Sequence, residues 1–147
     1  MEIAVLACGC FWGPEIKFSR LHGVFKTEVG YCGGNTSKTS YQEVCEGDTN
    51  HAEVVKLDFD PNIISYEKIL DYFFEIHDPT TLNSQGPDFG TQYRSEIFYL
   101  NDEQKNIAKK IIEKYNKKYS GKVVTKISQI KNYCIAEEYH QKYLEKR

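Results

Sequence analysis

One stretch of the chain combines residue type and spacing in a way that suggests covalent chemistry: Ala7-Cys8-Gly9-Cys10-Phe11-Trp12-Gly13-Pro14-Glu15. It holds two of the five cysteines and the only tryptophan. Cys10 follows a glycine, which permits a sharp turn and the close approach of a second molecule. It precedes Pro14, a residue that a helix tolerates only in its first turn. Together these place a helix N-terminus at or just after Cys10. Unpaired backbone N–H groups and the positive end of the helix dipole favour a thiolate there, so Cys10 has the setting of a nucleophile. The bland alternative is a small buried apolar residue, the usual fate of a free cysteine. Phe11 and Trp12 weigh against it. If they line a cup beside the sulfur, their rings can hold an apolar group such as a methyl against it.

Such a cysteine needs a strand that ends at the turn and a helix that begins after it. Residues 3–7 are apolar throughout, as in a strand buried on both faces. Residues 11–21 have helical spacing, with Phe11, Ile16 or Glu15, and Phe18 over successive turns. Residues 24–31 alternate, with Phe25, Thr27, Val29 and Tyr31 predicted on one face. Gly33-Gly34-Asn35 marks a turn, and a polar loop is expected to about residue 52. Residues 54–59 alternate again, with Val55, Leu57 and Phe59 inward. Ser65 caps a helix carrying Tyr66, Ile69, Leu70, Phe73 and Ile76, which Asp78-Pro79 stops. Residues 79–94 read as a long polar loop of functional type. A strand over 97–100 and a helix capped by Asn101-Asp102, with a stripe of Ile107, Ile111, Ile112 and Tyr115, follow. Gly121 breaks that helix, 123–130 is a last strand, and an irregular C-terminal tail with a short helix runs to Arg147. The order β-α-β-β-α-β-α-β predicts an α/β (α+β) two-layer sandwich: a ferredoxin-like mixed sheet with extra β-α-β elements. A single catalytic domain over 1–147 is expected, long enough to fold without a disulfide or a structural metal.

Composition excludes several classes of function. A net charge of −2 offers no broad basic field for nucleic acid. No apolar run approaches the roughly 20 residues that span a bilayer. The first residues lack a basic n-region, so a cytoplasmic protein with reduced thiols is expected. Cysteines at 8, 10, 32, 45 and 134 include no CxxC, which argues against a zinc ribbon or a thioredoxin-type motif. No bound cofactor or metal is expected, and monomer is the default. Eleven tyrosines leave room for a few to be aimed at a polar ligand.

Gly9-Cys10-Phe11-Trp12-Gly13 resembles the active-site signature of the peptide methionine sulfoxide reductase A family, which acts on the S epimer. Further segments resemble the family in order: Gly30-Tyr31-Cys32-Gly33-Gly34, Tyr41 to Gly47 followed by His51-Ala52-Glu53, His77-Asp78-Pro79-Thr80, Gln85 to Ser95, and Ala136 to Tyr143. The likeness covers residues 9–143. It implies that the Cys10 thiolate attacks the sulfoxide sulfur and that Glu53, kept neutral by burial, protonates the oxygen. It implies that Tyr41 and Tyr93 donate hydrogen bonds to that oxygen, that Phe11 and Trp12 cradle the methyl, and that Asp88 helps bind the substrate backbone. Methionine is released and Cys10 is left as a sulfenic acid. His51, His77 and His140 are read as holding loops, and Arg94 as an ion-pair partner.

The resemblance also implies a means of recharging Cys10. Many members of the family use a resolving cysteine in a C-terminal extension, whereas this chain stops four residues after its last motif. Cys134, Cys32 and Cys45 are candidate resolving residues, while Cys8 lies too close in sequence for a relaxed bridge. The simplest expectation is a one-cysteine enzyme reduced by an external thiol: thioredoxin, or glutathione with glutaredoxin, and dithiothreitol in vitro. Cys10 can also stand where some relatives carry selenocysteine. Oxidised proteins and free methionine S-sulfoxide are the implied substrates. The residues alone leave three competing readings: a thiol peroxidase or redox sensor, a metal module built from Cys8, Cys10, Cys45 and His51, and an inactive binder of oxidised methionine.

Overall fold

In a computed structural model, which describes residues 1–47 and 49–146, the chain runs β1 (Glu2–Cys8), α1 (Trp12–Ser19), β2 (Val24–Cys32), α2 (Tyr41–Cys45), β3 (Ala52–Phe59), α3 (Tyr66–Glu75), β4 (Ser84–Gln85), β5 (Asp88–Phe89), β6 (Ser95–Tyr99), α4 (Asp102–Lys118), β7 (Lys126–Gln129) and β8 (Cys134–Ile135). Short 3-10 turns cover Thr91–Tyr93 and Glu138–His140. Asp48, in the loop expected before residue 52, and Arg147, the end of the expected tail, lie outside the described residues.

Strand β1 sits near the middle of the sheet because residues from Ala4 to Cys8 are buried on both faces. The sheet order is β7-β6-β1-β3-β2-β8. β1 pairs antiparallel with β3 and β6, and β2 pairs antiparallel with β3. The four central strands therefore form the split βαβ arrangement, with α1 and α3 each joining two strands across an intervening one. β7 adds in parallel beside β6, and β8 adds antiparallel to β2 at the other edge. The main core lies under the helices and includes Leu6, Phe18, Val55, Leu57, Phe59, Ile69, Phe73 and Ile111. A smaller cluster of Val5, Ala7, Cys32, Ala52, Val54 and Phe98 fills the opposite face beneath Ile130 and Tyr133. Ser65 and Asn101 cap α3 and α4, accepting from the backbone N–H of Lys68 at 3.1 Å and Gln104 at 2.9 Å.

Four expectations change. Phe25 is exposed, because a bulge between Val24 and Lys26 takes it out of the alternation. The loop before residue 52 contains α2, capped by Ser40. The last long strand starts at Lys126 and not Val123: the Val123 N–H bonds Asn116 Oδ1 and the Val124 N–H bonds the Pro79 carbonyl, so neither joins β6. The 79–94 loop has structure of its own, a β4–β5 hairpin.

On α1 the inward residue is Glu15, with Ile16 only half-buried. The Glu15 carboxylate is 2% exposed and accepts hydrogen bonds from Thr27 Oγ1 at 2.9 Å and the Lys142 N–H at 2.7 Å. The Lys142 ammonium stands 3.7 Å away. Next to it, the Gln141 side chain accepts from the Val29 N–H and donates to the Val29 carbonyl, each at 2.9 Å, as a sheet partner would. These bonds fasten residues 141–142 to α1 and β2. Replacing Glu15 with Leu leaves buried donors without acceptors and is expected to cost on the order of 2–3 kcal/mol. Urea unfolding should show a lower midpoint at unchanged slope.

Candidate active site

The turn between β1 and α1 depends on Gly9, whose φ is +95° and whose missing Cβ would stand 2.8 Å from the Gln85 side chain. Gln85 Oε1 in turn accepts the Asp78 N–H at 3.0 Å, which ties the start of the β4–β5 hairpin back to the segment after α3. Cys10, in the same turn, is half-buried.

The thiol differs from the sequence expectation. Burial pushes Cys10 up to about 11. The Trp12 backbone N–H at the start of α1 pulls the other way, and the Glu53 and Asp88 carboxylates add to the rise. The helix terminus therefore acts as expected but is outweighed by desolvation, so Cys10 rests as a thiol at neutral pH.

Glu53 comes from β3, side by side with Tyr31 of β2. It is 1% exposed. Its Oε1 accepts the Phe11 N–H at 3.4 Å, and Oε2 is buried with no partner among the described residues. Burial raises the carboxyl to about 8, against a smaller lowering by the Phe11 N–H and a further rise from Asp88. Glu53 is thus an acid that keeps its proton at pH 7, with an oxygen free to give it away.

Tyr41 opens α2, and its backbone N–H is held by Glu137 Oε2 at 2.9 Å. Its hydroxyl interacts with the Cys45 thiol and with Tyr93, and burial pushes its ionisation well above the ordinary range. Tyr93 ends the 3-10 turn after the hairpin and is raised to about 12 by burial and then by the Glu53 charge. Both hydroxyls therefore remain donors at any physiological pH. Asp88 is half-buried on β5, within electrostatic reach of Cys10, Glu53 and Tyr93.

The aromatic pair divides. Phe11 is 1% exposed, packed against Tyr31 and His140 at centroid distances of 5.7 and 5.3 Å, so it belongs to the floor. Trp12 is half-buried and stacks on Tyr143 at 3.8 Å and 13°.

The spare cysteines scatter. Cys8 ends β1, where burial raises it to about 12. Cys32 is fully buried on the opposite face of the sheet and donates to the Lys131 carbonyl at 3.3 Å, which removes it from the site. Cys134 is half-buried opposite Tyr31, with its thiol toward the Thr39 carbonyl at 3.8 Å. Cys45 is exposed beside Tyr41.

The other polar motif residues are engaged in the frame. His51 accepts the Gly34 N–H at 3.2 Å and bonds the Thr36 carbonyl at 2.8 Å. His77 spans the Phe73 carbonyl and Ser95 Oγ, and burial lowers it to about 4. Arg94 pairs with Glu96 at 2.6 Å and donates to the carbonyls of Thr91 and Asn50. Among the described residues no three His, Cys, Asp or Glu side chains converge as metal ligands do. Sequence reasoning missed Glu137 and Tyr143 altogether. The only signal was their place in the Ala136–Tyr143 motif.

The raised Glu53 has a stability consequence. Between its ordinary 4.5 and about 8 the folded chain keeps a proton that the unfolded chain has lost, so stability falls as pH rises through that window. Below the window both states are protonated, and above it both are ionised. Glu53→Gln should therefore match the parent in thermal unfolding near pH 4.5 and exceed it by roughly 3–5 kcal/mol at pH 8.

Residues 2–147 match the family model described as "Peptide methionine sulfoxide reductase". A curated relative from Pelagibacter ubique, "Peptide methionine sulfoxide reductase MsrA", is 77% identical over 147 residues, covering 100% of each chain. Among solved structures, the reduced form of Mxr1 from Saccharomyces cerevisiae superposes with a TM-score of 0.94 at 46% identity, over 99% of this chain and 85% of that one. Methionine sulfoxide reductase A of Corynebacterium diphtheriae gives 0.95 at 37%, over 99% and 74%. The yeast protein has also been solved in complex with Trx2; that form matches at 0.68 and 30%, over 97% and 84%. A likeness that extends over the whole chain at this identity leaves one assignment: the chain belongs to the peptide methionine sulfoxide reductase family and is an oxidoreductase of methionine sulfoxide.

Proposed function

We propose that the chain reduces the S epimer of methionine sulfoxide, in oxidised proteins and as the free amino acid, with Cys10 as nucleophile and Glu53 as acid. The observation that carries this reading is the Glu53 carboxyl, buried with Oε2 unpartnered and protonated at neutral pH. A sulfoxide oxygen leaves sulfur only once protonated, and here a proton waits beside the thiol. Tyr41 and Tyr93 stabilise the same oxygen as donors. Cys10 sulfur bonds to the substrate sulfur as the substrate S–O bond breaks, and the oxygen leaves as water with the thiol proton and the Glu53 proton. Water then attacks the Cys10 sulfur, the S–S bond breaks to release the thioether, and the freed proton returns to Glu53. The net change is thiol plus sulfoxide to sulfenic acid plus thioether. Trp12 and the Phe11 floor hold the methyl group, and a fixed methyl and a fixed oxygen site together select one epimer.

Two reducing equivalents then return Cys10–SOH to the thiol and release water. We assign them to an external thiol, either thioredoxin or glutathione with glutaredoxin. The Trx2 complex of the yeast relative supports the first. A monomer in a reducing cytoplasm fits this supply of thiol.

The test is turnover of S and R sulfoxides with dithiothreitol. Cys10→Ser should abolish it, and equal activity or an R preference overturns the reading. Glu53→Gln should slow the sulfoxide step by about 10²-fold or more. Parental activity should fall as pH rises through about 8, where Glu53 loses its proton. Replacing Cys8, Cys32, Cys45 and Cys134 together should leave turnover driven by thioredoxin within about two-fold of the parent. A collapse of that rate, with dithiothreitol turnover intact, would show an internal resolving cysteine.

A further inference from the structure

The side chain of His140 is held more tightly than a loop histidine requires. It is 2% exposed, although the tail it belongs to lies on the surface. Its Nδ1 stands 3.1 Å from the Trp12 indole nitrogen. An indole N–H only donates, so Nδ1 is the acceptor and the ring's proton sits on Nε2. That Nε2 is buried and has no partner among the described residues. The ring lies instead among aromatic faces, with Tyr41 at 4.6 Å and 52°, Tyr139 at 4.2 Å and Phe11 at 5.3 Å. An aromatic face is a weak acceptor for such a donor, and the Tyr41 ring is tilted across it.

We propose that His140 is the positioning residue of the substrate pocket: it fixes the Trp12 indole by accepting its N–H and seats the Tyr41 ring with its other side. This rests on the reading of Trp12 as the methyl wall. Stacking on Tyr143 alone constrains the plane of the indole but lets it slide and turn within that plane. One hydrogen bond at the indole edge removes that freedom. The same imidazole touches the residue that carries an oxygen donor, so one ring sets the spacing between the methyl wall and the oxygen site. That spacing is what distinguishes the two sulfoxide epimers.

Trp12 is the only tryptophan, so its emission reports on this contact without labelling. His140→Asn keeps a side-chain acceptor and a donor, whereas His140→Leu keeps only bulk. In His140→Leu, acrylamide quenching of Trp12 should rise two- to three-fold and KM for the S sulfoxide five- to ten-fold, with kcat within about three-fold. His140→Asn should restore both most of the way. Unchanged quenching in His140→Leu overturns the proposal. Increased quenching with unchanged KM also overturns it and removes Trp12 as the methyl wall, while Cys10 and Glu53 chemistry, read from the Cys10→Ser and Glu53→Gln variants, stands separately. If His140→Leu fails to fold, quenching in His140→Asn decides: parental values support the acceptor role, and values like free indole in water overturn it.

Discussion

The site depends on one carboxyl group being dry. Glu53 is placed on β3 where the sheet, the floor of Phe11 and the tyrosines of α2 and the 3-10 turn close around it. Water would return its ionisation to the ordinary range and leave the site without an acid near neutrality. The same burial raises the Cys10 thiol and keeps both tyrosines protonated. A set of four groups, Cys10, Tyr41, Glu53 and Tyr93, thus rests uncharged near neutrality. The fold bears this as lost stability near neutrality, because the unfolded chain ionises the same carboxyl in water while the folded chain holds it neutral.

Much of the fold was legible because it follows from local chemistry. The caps at Ser65 and Asn101 and the apolar stripes behind them give α3 and α4 directly. The uninterrupted apolar run gives the central strand, and the Gly9–Pro14 interval gives the turn at Cys10. What escaped is non-local or too short. α2 spans five residues with Val44 as its one buried side chain, too few for a period to emerge. Phe25 alternates correctly in the sequence, but the bulge beside it is a property of its pairing with β3. The shared register of Tyr31 and Glu53, and the consignment of Cys32 to the other face, follow from the strand period of two once the pairing is known.

The state of the Cys10 thiol shows where sequence reasoning stops at a site. A helix start next to a cysteine is visible in the letters, and its N–H does favour the thiolate. How far the thiol is desolvated depends on the β4–β5 hairpin packed on Gly9 and on β3 bringing Glu53, segments tens of residues away. The Ala136–Tyr143 motif was visible too, yet its roles were not. Glu137, His140 and Tyr143 act on α1, β2 and α2, and no local pattern predicts contacts at such separations.

Those separations have a temporal consequence. Trp12 meets His140 across 128 residues, Glu15 meets Lys142 across 127, and Tyr41 meets Glu137 across 96. Loop-closure entropy makes such contacts form late in folding, after the sheet has given them a surface to land on. A partly folded chain would hold Cys10 on a strand-helix turn with no ordered indole beside it and no anchored Tyr41. Order at both Trp12 and Tyr41 is therefore coupled to the docking of a segment about 100 residues further along the chain.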